Sequence, residues 1–476
     1  MGQHSAGGPV APDPATTLAD LSGEALAAGY AAGDFDPVEV VDAVAERIAA
    51  CEPTINALWH TDLDTARAAA ADAGRRWRSG EARGPLDGVP VTIKENIARR
   101  GVPMPSGHAA GDPAPADHDA PITERLTEAG ALILGSTVMP DWGMLSSGVS
   151  SRHGITRSPL DPALTTGGSS SGAGAAAAAG YGPIHIGSDI GGSIRLPGTW
   201  LGLATLKPSF GRVPLDAPYL GRCAGPLART VDDLRRAMTV IGRPDDRDYS
   251  ELPPYEGDYT APGFDPAGLR IAVHTTAGCG MGTDPEVAAA VDAAAERFAA
   301  AGAEVERIEP FMDEGLLSDV DRFWRVRSWV DYSALGIEDQ RRILPYVARW
   351  CTAGADVAGS EVLRCYQSIQ TMRQVTVRAT AGFDLVLSPV APVAAFPAER
   401  PMPFDDPDQP MGHISYTVPY NMSEQPAASV NAGYTGDGRT IGLQIAGRRF
   451  DDAGVLAAAA WFEAMARVPA PVRTVG

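Results

Sequence analysis

The chain is almost devoid of lysine. Lys94 and Lys207 are the two lysines among 476 residues, although Lys and Arg together number 39. The formal net charge is −20, and such an acidic surface disfavours a nucleic acid or an anionic membrane as a partner. A lysine at the end of an apolar run, as at Lys94, is costly to bury unless it is paired or neutral.

Cysteine is also scarce, and long apolar runs are missing. The five cysteines are scattered along the chain without a Cys-x-x-Cys pair, so neither a disulfide framework nor a zinc site is indicated. No run reaches the roughly 18 apolar residues of a membrane helix, and the N-terminus has no basic segment followed by an apolar one. These features predict a cytoplasmic protein that needs no membrane and no metal.

Two glycine-rich turns with serine clusters stand out in the stretch Gly167–Pro197. A flexible connector or a phosphate-binding loop is the first alternative. However, a strand at 184–186 and a second tight turn follow the first one, and the Gly-Lys-[Ser/Thr] of a Walker loop is absent. The second turn, Ile190-Gly191-Gly192-Ser193, would align successive backbone N–H groups around one hydroxyl, an arrangement that suits a developing oxyanion.

A serine needs a base before it becomes a good nucleophile. The chain has eight histidines, and none lies in a motif typical of a Ser-His-Asp triad. His185 precedes the second turn on an apolar strand, where a packed core residue is the better interpretation. Lys94 follows the apolar run Gly88–Ile93, and we therefore take it as the candidate base.

In these contexts Lys94, Ser169 and Ser193 resemble the catalytic Lys, cis-Ser and Ser of the amidase signature family. The resemblance extends over most of the chain, through segments that follow one another in the same order. These segments are Leu86–Asn96, Gly167–Pro197, Gly202–Pro208, Gly225–Val231 and Ile441–Gly447.

The resemblance implies a mechanism. Ser193 would attack a carbonyl carbon, Ser169 would pass the proton on, and neutral Lys94 would be the final base, which requires a pKa well below the usual value of about 10.4. The backbone N–H groups of Ile190, Gly191, Gly192 and Ser193 would hold the oxyanion. Water would then hydrolyse the acyl-enzyme, and no metal, nucleotide or organic cofactor is required.

The resemblance also implies supporting roles. We expect Gly168 to help hold the cis peptide, and the hydroxyls of Ser170 and Ser171 to act as donors that open the following helix. Asp189 and Arg195 are expected to brace the second turn, with direct substrate contact as the alternative.

The residues Trp142, Gly143 and Met144 lie where the family lines its substrate channel, and ordinary core packing of Trp142 and Met144 is the alternative interpretation. Two segments depart from the family pattern: Ser136–Val138 stands where Lys-Thr-Asn is frequent, and Glu424 stands where glycine is usual.

Strand and helix patterns alternate along the chain. They predict an α/β fold with a mixed, largely parallel central β-sheet that helices cover on both faces. We expect a disordered tail at 1–16 and a single domain at 17–476, in which residues 86–250 carry the triad and Leu86–Ile93 is the first core strand. Between about 311 and 380 the strand patterns stop, and an aromatic-rich helical segment is predicted to form part of the pocket.

We therefore predict an amidohydrolase that cleaves a neutral amide, an anilide or an aryl carbamate, acting on a small molecule with water. The aromatic segment, together with Trp142 and Met144, favours an apolar pocket, and no basic group near the pocket is assigned to a substrate carboxylate. The alternatives are the amidase subunit of a tRNA-dependent amidotransferase, which hydrolyses glutamine, and an inactive binding scaffold. The protein is expected to be a monomer or a homodimer.

Overall fold

The computed structural model describes residues 17–404 and 406–475, so the tail predicted at 1–16 lies outside the described residues. Strands and helices alternate through much of the chain. The strands are β1 (Leu58–Thr61), β2 (Pro90–Lys94), β3 (Leu132–Thr137), β4 (Val149–Ser150), β5 (Gly154–Ile155), β6 (Ile184–Asp189), β7 (Ala204–Lys207), β8 (Cys223–Ala228), β9 (Arg270–Val273), β10 (Glu304–Arg307), β11 (Leu385–Pro389), β12 (Ala427–Tyr434) and β13 (Thr440–Gly447).

Eleven of these strands form one mixed sheet in the order β1-β3-β2-β6-β8-β7-β12-β13-β11-β9-β10, and β4 pairs with β5. The prediction of a mixed sheet is confirmed. Parallel pairing joins β2 to β3 and β6, and joins β9 to β10 and β11. The other six pairs of the large sheet are antiparallel, so the sheet is less parallel than predicted, because β7, β8, β12 and β13 return beside one another in alternating directions.

Helices flank the sheet. Within the part of the chain that the structure describes, no helix is long and apolar enough to cross a membrane. The helices are α1 (Gly23–Ala32), α2 (Pro37–Ile55), α3 (Leu63–Ser79), α4 (Pro121–Glu128), α5 (Ser171–Ala179), α6 (Arg195–Leu201), α7 (Val231–Ile241), α8 (Pro285–Ala300), α9 (Glu314–Ser333), α10 (Ile337–Gln340), α11 (Pro345–Thr352), α12 (Gly359–Thr380), α13 (Val418–Met422) and α14 (Asp452–Ala466).

The sheet is apolar on both faces. Strand β3 shows this, because successive side chains of a strand point to opposite faces. Leu132 and Leu134 belong to a core cluster with α2 and α5, whereas Ile133 packs against the main cluster, which includes residues of α7, α8 and α14. Helices therefore cover both faces, as predicted.

The first core strand is shorter than predicted. It begins at Pro90 rather than at Leu86, because residues 85–88 form a turn in which Gly88 adopts a φ of +80°. Leu86 and Val89 are nevertheless fully buried. Their apolar character therefore reflects burial of the turn, and the strand proper carries Lys94 at its end.

The aromatic-rich segment is helical, as predicted. It consists of α9 to α12, and most of its large side chains pack into a second core cluster around Val320 and Ile369. Helix α9 runs beside the sheet end where β2 and β6 terminate, and its residues Trp324 and Arg327 line the same cavity as residues that follow β6.

Candidate active site

Lys94 lies at the end of β2, with its amine surrounded by three serine hydroxyls. The Nζ atom is 2.8 Å from Ser169 Oγ, 3.2 Å from Ser170 Oγ and 3.1 Å from Ser188 Oγ. The side chain is completely buried. The parallel pairing of β2 with β6 brings the amine next to Ser188, because both strands end at this edge of the sheet.

Burial lowers the pKa of Lys94 to about 7. Removing an ammonium group from water disfavours its charged form, and the negative charges of Asp189 and Glu95 oppose this effect only in part. A lysine with such a pKa is half neutral near pH 7. It can then accept a proton from the hydroxyl of Ser169.

The first serine cluster joins Lys94 to helix α5. The peptide bond between Gly168 and Ser169 is cis, as the resemblance implies. Ser170 does not open the helix with its side chain, contrary to our expectation, because its hydroxyl makes no capping hydrogen bond. Its Oγ instead contacts Lys94, donates to the carbonyl of Ser188 at 3.1 Å and accepts from the N–H of Ser188 at 3.2 Å.

The second turn wraps around the carboxylate of Asp189. This carboxylate accepts the N–H of Gly192 at 2.7 Å and the N–H of Ile194 at 3.0 Å. The prediction that Gly192 contributes to an oxyanion hole is therefore wrong, because its N–H is already bonded. Among the described residues, no hydrogen bond engages the backbone N–H groups of Ile190, Gly191 and Ser193.

Asp189 and Arg195 form a fully buried ion pair that fixes the turn. The Arg195 guanidinium donates to both carboxylate oxygens, at 2.9 and 3.1 Å. It also donates to Gln444 Oε1 at 2.8 Å and to Asn421 Oδ1 at 2.6 Å. Burial by itself would raise the pKa of Asp189, but the charge and hydrogen bonds of Arg195 hold that pKa far below its usual range. The polar atoms of both residues are thus bonded to other groups of the protein, and the bracing role stays a prediction.

A cavity opens over these two turns. Ser169 and Ser193 both line it, and the empty space within and above it is about 700 Å³ with open solvent included. Trp142, Gly143 and Met144, which we expect in the wall of a substrate channel, line it as well. A Cβ atom at Gly143 would lie 3.1 Å from Ser169 Oγ, so this glycine leaves room beside the hydroxyl.

The side chains of Trp142 and Met144 also have protein partners. The indole of Trp142 lies 4.8 Å from the imidazole of His108, measured between ring centroids. The sulfur of Met144 accepts a hydrogen bond from Ser328 on α9 at 3.4 Å. Trp142 and Met144 therefore line the cavity and also pack against other side chains of the protein.

Trp324 is the one aromatic residue of segment 311–380 that lines the cavity within the described residues. Its ring covers the second turn, since a Cβ atom at Gly191 would lie 3.0 Å from Trp324 Cη2. Glu424, which stands where the family usually has glycine, does not line the cavity. It forms ion pairs with Arg373 and Arg449.

Several residues of the site were missed by sequence reasoning. Sequence reasoning gave Ser188 no role, although its place at the end of β6, which is parallel to β2, puts its hydroxyl beside Lys94. Asn96, which donates to Ser188 Oγ at 3.1 Å, follows Lys94 closely. Arg222 and Arg327 line the cavity from two distant segments, and nothing local in the sequence distinguishes them from the other arginines.

His185 is not a base for this site. It is fully buried in β6, and its ring bonds to Thr92 Oγ1 at 2.8 Å and to the carbonyl of Gly182 at 3.1 Å. Burial lowers its pKa to about 3. No cluster of three or more side chains that could hold a metal ion occurs in residues 17–404 and 406–475.

The chain is similar to known proteins over nearly its whole length. The model of the amidase family matches residues 39–456. An acylamidase of Rhodococcus erythropolis is 34% identical over 456 residues, covering 94% of this chain and 95% of the relative. A glutamyl-tRNA(Gln) amidotransferase subunit of Chloroflexus aurantiacus is 33% identical over 475 residues, covering 93% of this chain and 96% of the relative. The crystal structure of a bacterial aryl acylamidase superposes with a TM-score of 0.84 at 28% identity, covering 93% of this chain and 96% of that chain.

Proposed function

The chain belongs to the amidase family, whose members here are hydrolases of carbon–nitrogen bonds, and on this premise we propose that Lys94, Ser169 and Ser193 hydrolyse a small-molecule amide through a seryl acyl-enzyme. The observation that carries the proposal is the buried contact of 2.8 Å between Lys94 Nζ and Ser169 Oγ, in a cavity that Ser193 also lines. A buried amine with a pKa of about 7 is matched to general base catalysis at neutral pH.

In the proposed reaction, Ser193 Oγ attacks the carbonyl carbon while its proton moves to Ser169 and the proton of Ser169 moves to Lys94. The oxyanion accepts hydrogen bonds from the N–H groups of Ile190, Gly191 and Ser193, which the bonds of Asp189 to the turn hold in place. Preorganised donors of this kind lower the barrier without reorganisation during the reaction.

The tetrahedral intermediate then collapses. The carbon–nitrogen bond breaks, and the proton returns from Lys94 through Ser169 to the leaving nitrogen, which departs as an amine. A water molecule attacks the acyl-enzyme, losing its proton along the same path, and the acid is released as Ser193 is regenerated.

For the substrate we propose aryl amides, with aryl carbamates as a further class, because both present a carbonyl flanked by nitrogen. Trp142, Met144 and Trp324 support this part of the proposal, since they give the cavity apolar surface for an aryl ring. The similarity to an acylamidase and to an aryl acylamidase points in the same direction.

Glutamine hydrolysis within an amidotransferase is the second candidate, and the 33% identity to a protein of such an assembly favours it. The purified chain separates the two candidates when it is assayed without partners or ATP. Comparing kcat/KM for a nitroanilide, an N-aryl carbamate and glutamine decides between them. A preference for glutamine of more than about tenfold, roughly 1.4 kcal/mol of transition-state stabilisation, would refute the aryl amide assignment.

The nucleophile is tested by covalent labelling. Intact-protein mass spectrometry with a sulfonyl fluoride should show one adduct on the wild type and none on Ser193→Ala. Ser171→Ala is the matched control, because Ser171 is a neighbouring buried serine whose hydroxyl lies 3.4 Å from the carbonyl of Val138. Labelling that persists in Ser193→Ala and maps to Ser170 or Ser171 would contradict the assignment.

A further inference from the structure

Two arginines face the cavity from opposite segments of the chain. Arg222 lies just before β8 and Arg327 lies on α9, and both line the cavity together with Ser193. The guanidinium carbon of Arg222 is 5.7 Å from the centroid of the Tyr219 ring, and that of Arg327 is 5.1 Å from the same centroid. Both guanidinium groups thus contact the same tyrosine ring, and the two positive charges lie near each other at the cavity wall.

Neither arginine has an acidic partner among the described residues. Arg222 donates only to the carbonyl of Ala217, at 3.4 Å. Arg327 reaches the sulfur of Met144 at 4.0 Å, and its buried Nε has no hydrogen-bond partner in the described part of the chain. Burial and the positive charge of Arg327 both lower the pKa of Arg222.

The lack of an acidic partner contrasts with the net charge of −20. The buried Arg195 and Arg325 are paired with Asp189 and Asp321, whereas the buried Arg235, which does not line the cavity, has an Nε without a hydrogen-bond partner in the described part of the chain. Two adjacent cations repel each other and are costly to keep partly buried. An anion between them would remove both costs, because arginine is suited to bind carboxylates with two parallel hydrogen bonds.

The cavity has no corresponding place for a cation. Asp189 is the one acidic residue that lines it within the described residues. Its oxygens already accept hydrogen bonds from Arg195, Asn421, Gly192 and Ile194. A substrate ammonium group would therefore enter without a counter-charge and beside two guanidinium groups.

We propose that Arg222 and Arg327 form an anion-binding subsite and that the amide substrate carries a carboxylate without a neighbouring ammonium group. This inference rests on the proposed amide hydrolysis and replaces one part of the expectation from sequence. The sequence predicted a neutral substrate because no basic group could be assigned to the pocket, and the structure supplies two.

The acyl side of the substrate is tested with three para-nitroanilides of matched acyl length. The glutaryl compound ends in a carboxylate, an isopropyl-ended compound has the same shape without charge, and the γ-glutamyl compound adds an ammonium group to the glutaryl chain. We expect kcat/KM to be highest for the glutaryl compound, by at least about tenfold over each of the others, as charge-assisted hydrogen bonds to one or two arginines allow.

The amine side is tested in parallel with para-acetamidobenzoate and para-isopropylacetanilide. A preference for the charged member of this pair would place the carboxylate on the leaving amine, and a preference in the glutaryl series would place it on the acyl group. Equal or higher kcat/KM for the uncharged member in both series would overturn the inference.

The arginines are tested by Arg327→Gln and Arg222→Gln, with Arg341→Gln as the control. Arg341 is exposed, pairs with Glu338 and does not line the cavity. The readout is the ratio of kcat/KM for the charged and uncharged members, which a general loss of activity does not change because both are cleaved at the same site. The ratio should fall toward one in either cavity variant and stay at the wild-type value in Arg341→Gln.

A binding measurement that needs no variant completes the test. Glutarate should inhibit cleavage of the uncharged nitroanilide competitively, and more strongly than chloride at equal ionic strength. A charge preference that persists unchanged in both cavity variants, or an absence of glutarate inhibition, would overturn the subsite. Failure of the proposed function looks different, because then none of these amides would be cleaved and Ser193 would not be labelled.

Discussion

The Lys94→Met variant removes the amine that contacts Ser169 and leaves an unbranched apolar side chain of similar length in the buried site. In the wild type, burial lowers the pKa of Lys94 to about 7 from a model-compound value of 10.5. At pH 7 about half of the lysine is then neutral, whereas an ordinary lysine with a pKa of about 10.4 would be neutral in roughly 1 molecule of 2,500. Burial in the site thus raises the neutral fraction of Lys94 at pH 7 by about three orders of magnitude.

The neutral amine is the active form, so activity is lost as the pH falls through the pKa. We expect kcat/KM of the wild type to rise about tenfold per pH unit below pH 7 and to level off above about pH 8. In Lys94→Met, kcat/KM should fall by a factor of about 10²–10⁴, the range that general base catalysis contributes. The residual activity should no longer rise with pH in this way.

The assay is the initial rate of nitroaniline release between pH 5 and pH 9, at constant ionic strength. Thermal unfolding of both proteins at each pH separates lost catalysis from lost structure. A folded Lys94→Met variant within about tenfold of the wild type, or a wild-type profile that is flat across this range, would refute the assignment of Lys94 as the base.

Three further predictions concern the surroundings of the triad. Asp189→Ala leaves Arg195 buried without its counter-charge, so urea unfolding should show a loss of about 3–5 kcal/mol, and a loss below about 1 kcal/mol would contradict the bracing role. Gly143→Ala places a methyl group 3.1 Å from Ser169 Oγ at a φ of +72°, so kcat should fall while labelling at Ser193 slows, and unchanged kinetics would show that this space is not used. Phe298→Ala opens a cavity in the main core, where Phe298 is fully buried, and should cost about 3–5 kcal/mol of unfolding free energy without changing KM.

Much of the fold follows from local sequence patterns. Asp36 and Pro37 are a local start signal for helix α2, because Asp36 accepts the N–H groups of Val38 and Glu39 and proline suits the first helical position. The helical segment 311–380 could be recognised for a similar reason, since helical periodicity and capping depend on residues a few positions apart. The start of β2 was predicted incorrectly, because a buried turn and a buried strand are equally apolar.

The residue types of the site can be recognised from the sequence, because glycine-rich turns, a lone lysine after an apolar strand and two serine clusters are local features with a chemical meaning. How these groups contact one another depends on the folded chain. Asp189 takes the N–H of Gly192, Ser188 joins the hydroxyls around Lys94, and Arg222 and Arg327 meet at one ring although they are far apart in the chain. Hydrogen bonds and charge pairs depend on distance in space, and the sheet order that sets these distances brings together segments that no local pattern connects.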